Sequence, residues 1–181
     1  FTGFISGTVD YFHHTYGSMK HDWYVKGDPT NEEGYATDLL TGHAIDFIDQ
    51  AKNEKNPFFL YLSYSAPHYG KTDPNRIPEG TIALKKGRYK GYKIMNSLQA
   101  PEEYVTKHSD IKDEYRRVYA GMISSLDDNI GRLLTKLEGE NLLEDTMIWF
   151  ISDNGGYSES YYGHASNGRL RGEKGTLWEG G

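Results

Sequence analysis

Asp153 and Asn154, followed at once by Gly155 and Gly156, place two hard oxygen donors directly after the apolar run Ile148-Trp149-Phe150-Ile151. A carboxylate beside a carboxamide suits Ca2+ or Mg2+, whereas a zinc site more often recruits imidazole or thiolate. Two ligands fill only part of such a shell. The same four residues also fit a simple turn, because Asn and Gly tolerate left-handed backbone angles. Two further residues bear on the choice. His68, after Ala66-Pro67, is a ligand, a general acid or a hydrogen-bonded structural histidine. Lys174, within Arg171-Gly172-Glu173-Lys174-Gly175, either meets an anion that the glycine backbone lets approach closely or is a solvated surface lysine. A divalent-cation site, an imidazole and an ammonium together suit a tetrahedral oxyanion ester, sulfate or phosphate, with positive groups stabilising charge on the transferred group.

Such residues need a frame to bring them together. Residues 58–64 and 146–152 are apolar runs of strand length. Within 35–52, Ala36, Leu39, Leu40, His43, Ala44, Phe47, Ile48 and Ala51 recur at helical spacing. Asn56-Pro57 ends that segment, since the residue before a proline disfavours helix. A second amphipathic helix is expected over about 111–138, with Tyr115, Val118, Met122, Leu126, Ile130, Leu133 and Leu137 on its apolar face. Ser109 or Asp110 would cap its start and Gly139 its end. Strand, long crossover with a helix, strand is a βαβ unit with parallel strands and a right-handed crossover. His68 and the Asp153/Asn154 pair then leave the same sheet edge and converge on one crevice. Residues 1–30 read as loop with one short strand, 65–109 as a long connection of the kind that is usually functional or disordered, and 155–181 as irregular and glycine-rich.

Length and charge narrow the classes. The chain has 181 residues, enough for one domain or most of one. A net charge of −6 argues against a general nucleic-acid binder. Charge is nevertheless uneven. Lys71, Arg76, Lys85, Lys86, Arg88, Lys90 and Lys93 face only Asp73 and Glu79 in that stretch, which suits either a polyanion-guiding loop or a solvated surface. The absence of cysteine excludes disulfides, zinc-thiolate sites and a thiol nucleophile within these residues. No apolar run approaches the ~20 residues of a membrane span. Fifteen tyrosines against seven phenylalanines suit amphipathic surfaces such as a carbohydrate-binding cleft, as well as ordinary half-buried loops.

Several blocks, in order, resemble the type I sulfatases (arylsulfatase-like) of the alkaline phosphatase superfamily. They are Tyr35-Ala36-Thr37-Asp38, residues 58–68 ending in Ala66-Pro67-His68, Leu126-Asp127-Asp128-Asn129-Ile130-Gly131, Asp153-Asn154-Gly155-Gly156 and the run from Asn167 to Gly181. The resemblance implies an α/β, alkaline-phosphatase-like fold with a mostly parallel mixed sheet flanked by helices. It implies that Asp153 and Asn154 ligate Ca2+ (or Mg2+), and that His68 and Lys174 contact a sulfate ester, with His68 donating a proton to the leaving alcohol. Asp127 and Asp128 receive no such role, since both fall mid-helix. The family's nucleophile is a formylglycine made from Cys or Ser in Cys/Ser-x-Pro-x-Arg. Ser65-Ala66-Pro67-His68-Tyr69 has Tyr where that motif needs Arg. The chain therefore reads as the central part of a sulfatase catalytic domain, with the nucleophile segment and carboxy-terminal subdomain elsewhere, and as inactive by itself. A sulfate ester of a sulfated carbohydrate is the expected substrate, with a polysaccharide the polyanion that the basic loop would guide, and a periplasmic or secreted compartment is the location the resemblance implies. The alternatives are a phosphoesterase or phosphonate hydrolase of the same superfamily, or a non-catalytic relative that binds anionic glycans.

Overall fold

A seven-residue strand that looks polar in sequence forms the centre of the molecule. The computed structural model describes residues 1–16, 20–73, 75–85, 95–157 and 164–181. In it β1 (Thr15–Tyr16) pairs antiparallel with β2 (Lys20–His21), and β3 (Tyr24–Val25) with β4 (Asp28–Pro29). The long helix α1 (Ala36–Glu54) follows. β5 (Gly70–Thr72), β6 (Thr81–Lys85) and β7 (Met95–Pro101) then form a three-stranded antiparallel sheet in the order β5-β7-β6. Lys71 lies opposite Asn96 and Leu84 opposite Leu98. A short helix α2 (Glu102–Thr106) leads to α3 (Glu114–Gly139).

β7 sits between two partner strands, and Asn96, Ser97, Leu98, Gln99 and Ala100 are all buried. Around it Val9, Tyr11, Trp23, Tyr35, Leu40, Val118, Met122 and Leu126 form one apolar cluster. Each fully buried side chain such as Val118 or Met122 stabilises the fold by roughly 1.5–3 kcal/mol over leaving it in water. Gly121 lets α2 press against α3, since a Cβ there would lie 3.0 Å from Val105 Cγ2. α1 and α3 are joined at their ends by Lys136, which pairs with Asp49 and Glu140, and by Lys52 with Glu140.

The two long helices stand where the apolar spacing predicts them, with adjusted faces and caps. On α1 the buried side chains are Ala36, Thr37, Leu40, Thr41, Ala44, Ile48 and Ala51, while Phe47 is turned outward. α3 begins later than expected. Its cap is Asp113, whose carboxylate accepts from the Arg116 N–H at 2.8 Å, and not Ser109 or Asp110. Within 65–109, expected to be irregular, the structure has β5, β6, β7 and α2.

The largest departure concerns the two runs expected as buried parallel strands. Neither 58–64 nor 146–152 forms a strand paired in a sheet among the described residues, so the expected βαβ pairing is not formed. A strand buried on both faces needs neighbours at its edges and cover above and below. The first run has half of that. Phe58, Leu60, Leu62 and Tyr64 are half-buried, Phe58 meets Phe47 edge-on at 6.0 Å, and the Tyr64 hydroxyl bonds to Thr41 at 2.7 Å. Phe59 and Tyr61 point away from this cover and are exposed. The second run has far less cover: Met147, Ile148, Trp149, Phe150 and Ile151 are all exposed.

Candidate active site

His68 is held from the core. Its own N–H donates to the Ser65 carbonyl at 2.8 Å, and its carbonyl accepts from the Tyr11 hydroxyl at 2.8 Å. Tyr11 is fully buried, and its N–H donates to Gln99 Oε1 at 3.1 Å. Gln99 Nε2 in turn donates to Asp10 Oδ2 at 3.1 Å, while Asp10 Oδ1 accepts from the Phe12 and His13 N–H groups. A chain of buried hydrogen bonds thus runs from Asp10 through β7 to His68. Gly70, next along, has no room for a Cβ against Gln99 Oε1 and the Val9 carbonyl. The imidazole Nδ1 lies 2.9 Å from the Tyr69 carbonyl, an acceptor only, so Nδ1 carries the proton and Nε2 is the nitrogen left for chemistry.

Asp153 and Lys174 are held differently, by closure of two glycine-rich loops on each other. The Gly155 N–H donates to the Gly181 carbonyl at 3.1 Å, and the Gly180 N–H to the Arg171 carbonyl at 2.9 Å. Gly172 and Gly175, at φ 89° and 90°, flank Glu173 and Lys174 in a turn closed by the Thr176 N–H on the Glu173 carbonyl. A Cβ at Gly155 would run into the Gly180 carbonyl oxygen, so the approach requires glycine. The Arg171 guanidinium stacks 3.4 Å above the Trp178 ring, and the Lys174 ammonium lies 5.9 Å from the Tyr157 ring.

The charges of Lys174 and Asp153 both act on His68, although the three residues come from separate loops. Burial pushes the imidazole below its ordinary pKa. The Tyr69 carbonyl opposes this, Lys174 adds to it, Asp153 opposes it and Lys71 adds to it. His68 is therefore neutral at neutral pH, and an anion bound between it and Lys174 would raise its pKa again.

Asp153 is exposed and Asn154 half-buried, with Asn154 Nδ2 donating to the Gly155 carbonyl at 2.9 Å. Among the described residues none donates to the Asp153 carboxylate or to Asn154 Oδ1, so both groups are available to a hard cation. The donor set fits part of a Ca2+ or Mg2+ shell. Among the described residues no group of three His, Asp or Glu side chains is gathered for a metal, so these two ligands would need others.

A family model described as Sulfatase matches residues 3–181. The chain belongs to the sulfatase family. It is similar to an uncharacterized sulfatase of Schizosaccharomyces pombe, 33% identical over 62% of this chain and 24% of that protein. It is also similar to arylsulfatase J of Mus musculus, 29% identical over 100% of this chain and 26% of that one. The crystal structure of Ps i-CgsB in complex with k-i-k-neocarrahexaose superposes with a TM-score of 0.74 at 31% identity, over 99% of this chain and 37% of that chain. The sulfatase chain thus spans about a quarter of these curated relatives and 37% of the solved one. Its fold is part of the α/β, alkaline-phosphatase-like domain of those structures.

Sequence reasoning singled out His68, Lys174, Asp153 and Asn154 but missed what holds them. Tyr11 reads as an ordinary aromatic in a loop, and nothing local marks its bond to His68. Asn167 opens the run to Gly181 that resembles the family, yet nothing in that run marks its side chain, which bonds to the backbone of both glycine-rich loops. Lys71, read as part of a basic loop, lies close enough to act on His68. Of that basic stretch, Lys86, Arg88, Lys90 and Lys93 lie outside the described residues, as does the Lys85 side chain. No helix among the described residues is long and apolar enough to cross a membrane.

Proposed function

We propose that this sulfatase chain is the central part of the catalytic domain of a sulfuric ester hydrolase, with the sulfate group of a monoester seated between His68, Lys174 and the Asp153/Asn154 pair. What supports the reading is that the Lys174 ammonium and the Asp153 carboxylate, from two further loops, both act on the His68 imidazole in a chain of the sulfatase family. Lys174 neutralises charge on the sulfate oxygens, most strongly as negative charge develops on the group transferred. His68, fixed through Nδ1, presents Nε2 to the leaving oxygen. The anionic ester favours its protonated form, and the proton passes to the departing alcohol. Asp153 and Asn154 would hold Ca2+, or Mg2+. When bound, such an ion supplies fixed positive charge that orients the sulfate and polarises the S–O bond. The nucleophile implied by the resemblance, a formylglycine, is not among these residues, since Ser65-Ala66-Pro67-His68-Tyr69 lacks the required Arg.

A sulfated carbohydrate is the proposed substrate class, on the ground that a solved relative was captured with k-i-k-neocarrahexaose. The test is release of sulfate from 4-nitrophenyl sulfate by the full-length protein, with 4-nitrophenyl phosphate as comparator. Asp153→Ala is expected to abolish release together with its response to Ca2+. Retained activity in that variant rejects the site, and faster phosphate release favours a phosphoesterase instead.

A further inference from the structure

Asn167 joins the two loops of the candidate site through one carboxamide. Its Oδ1 accepts from the Gly156 N–H at 3.0 Å, and its Nδ2 donates to the Gly156 carbonyl at 2.9 Å and to the Gly172 carbonyl at 3.0 Å. Gly156 is two residues beyond Asn154, and Gly172 is two residues before Lys174. The side chain therefore pairs with Gly156 as a strand neighbour would, and holds the Lys174 turn with its second N–H.

The demand at this point is for one acceptor and two donors at the end of a short side chain. A carboxamide meets it. A carboxylate would keep the bond from Gly156 N–H but would set a negative oxygen against two carbonyls, and Ala would leave all three backbone groups without this partner. The loops are also in direct backbone contact. A Cβ at Gly180 would lie 2.8 Å from the Gly172 oxygen, and one at Gly155 would be 3.3 Å from Asn167 Oδ1. With separation already limited by glycine contact, what remains to be set is the register of one loop along the other. We propose that Asn167 is a positioning residue that fixes this register, and with it the placement of the Lys174 ammonium relative to the Asp153/Asn154 oxygens. The inference rests on the sulfate-ester reading for its functional meaning.

A displacement of about 1 Å in a site of this kind costs on the order of 100-fold in rate. In the full-length protein, Asn167→Ala and Asn167→Asp are each expected to lower kcat for 4-nitrophenyl sulfate about 100-fold, with KM within about 3-fold of the parent. Hydrogen exchange followed by mass spectrometry is expected to show faster exchange in peptides covering 153–157 and 170–176 together. Wild-type kcat in both variants, with only a lowered melting temperature, overturns the proposal by reducing Asn167 to a structural role. Faster exchange in one loop alone overturns it as well. Should the unsubstituted protein release no sulfate, the sulfate-ester reading fails, and exchange alone decides the staple: joint loss of protection upholds it and unchanged protection removes it.

Discussion

His68 and Lys174 are held by opposite means within one candidate site. His68 hangs from the core, through Tyr11, Gln99 and Asp10, each of them 1% exposed or less. Lys174 and Asp153 are held by loops that touch mostly each other, with Leu170, Leu177 and Trp178 open to solvent. Regions with few buried contacts open locally at low free-energy cost, whereas a buried network opens only with the whole domain. Damage to the two halves should therefore be read out differently. Core lesions should cost stability, and loop lesions should cost rate.

Gln99→Leu should break the core half hardest, because it leaves the Tyr11 N–H and one Asp10 oxygen buried without Gln99. Each orphaned group costs about 1–3 kcal/mol, so urea unfolding should show a loss of about 3 kcal/mol or more. Gly155→Ala should break the other half, lowering sulfate release by about 100-fold through displaced loops while moving the urea midpoint little. Tyr11→Phe sharpens the contrast, since it removes one bond to His68 from the core side. A stability loss of about 1 kcal/mol is expected, with a smaller fall in kcat than Gly155→Ala gives.

The smallest effect concerns pH. His14 is buried, stacked on Trp23 at 4.4 Å, and burial holds its imidazole below the ordinary value. Its folded pKa thus lies below the unfolded one of ~6.5, so the unfolded chain binds the extra proton first. Stability is full above that pH and declines as pH falls through ~6.5 toward the folded pKa, by at most about 1.4 kcal/mol per unit for this one group. His68, depressed in the same direction, adds to the slope. Urea unfolding from pH 7.5 to 5 should show the decline, and His14→Gln should flatten it.

Much of the frame is legible in the amino-acid sequence because helices advertise themselves by period. α1 and α3 stand close to where Leu40, Ile48, Val118 and Met122 place them, and the errors are at the caps and at face-edge residues such as Phe47. β7 is illegible for a physical reason: Asn96, Ser97 and Gln99 look like loop residues, and their burial depends on partners far away in sequence. The runs at 58–64 and 146–152 illustrate the opposite failure. Their apolar character is plain, but character alone does not supply the neighbours that a buried strand requires. At the site, chemistry-bearing residues are visible by type, while Tyr11 and Asn167 act through backbone groups that no side-chain pattern announces.

On this reading His68 and Lys174 act on one ester group from two independently anchored loops. A double-substitution cycle in the full-length protein, His68→Ala with Lys174→Ala, tests it most directly through kcat/KM for an aryl sulfate. Groups that act as a unit lose their effects non-additively. Each single change is expected to cost about 100-fold or more, and the double variant to be little worse than the poorer single one. Wild-type rates in either single variant, or losses that simply multiply, would contradict it.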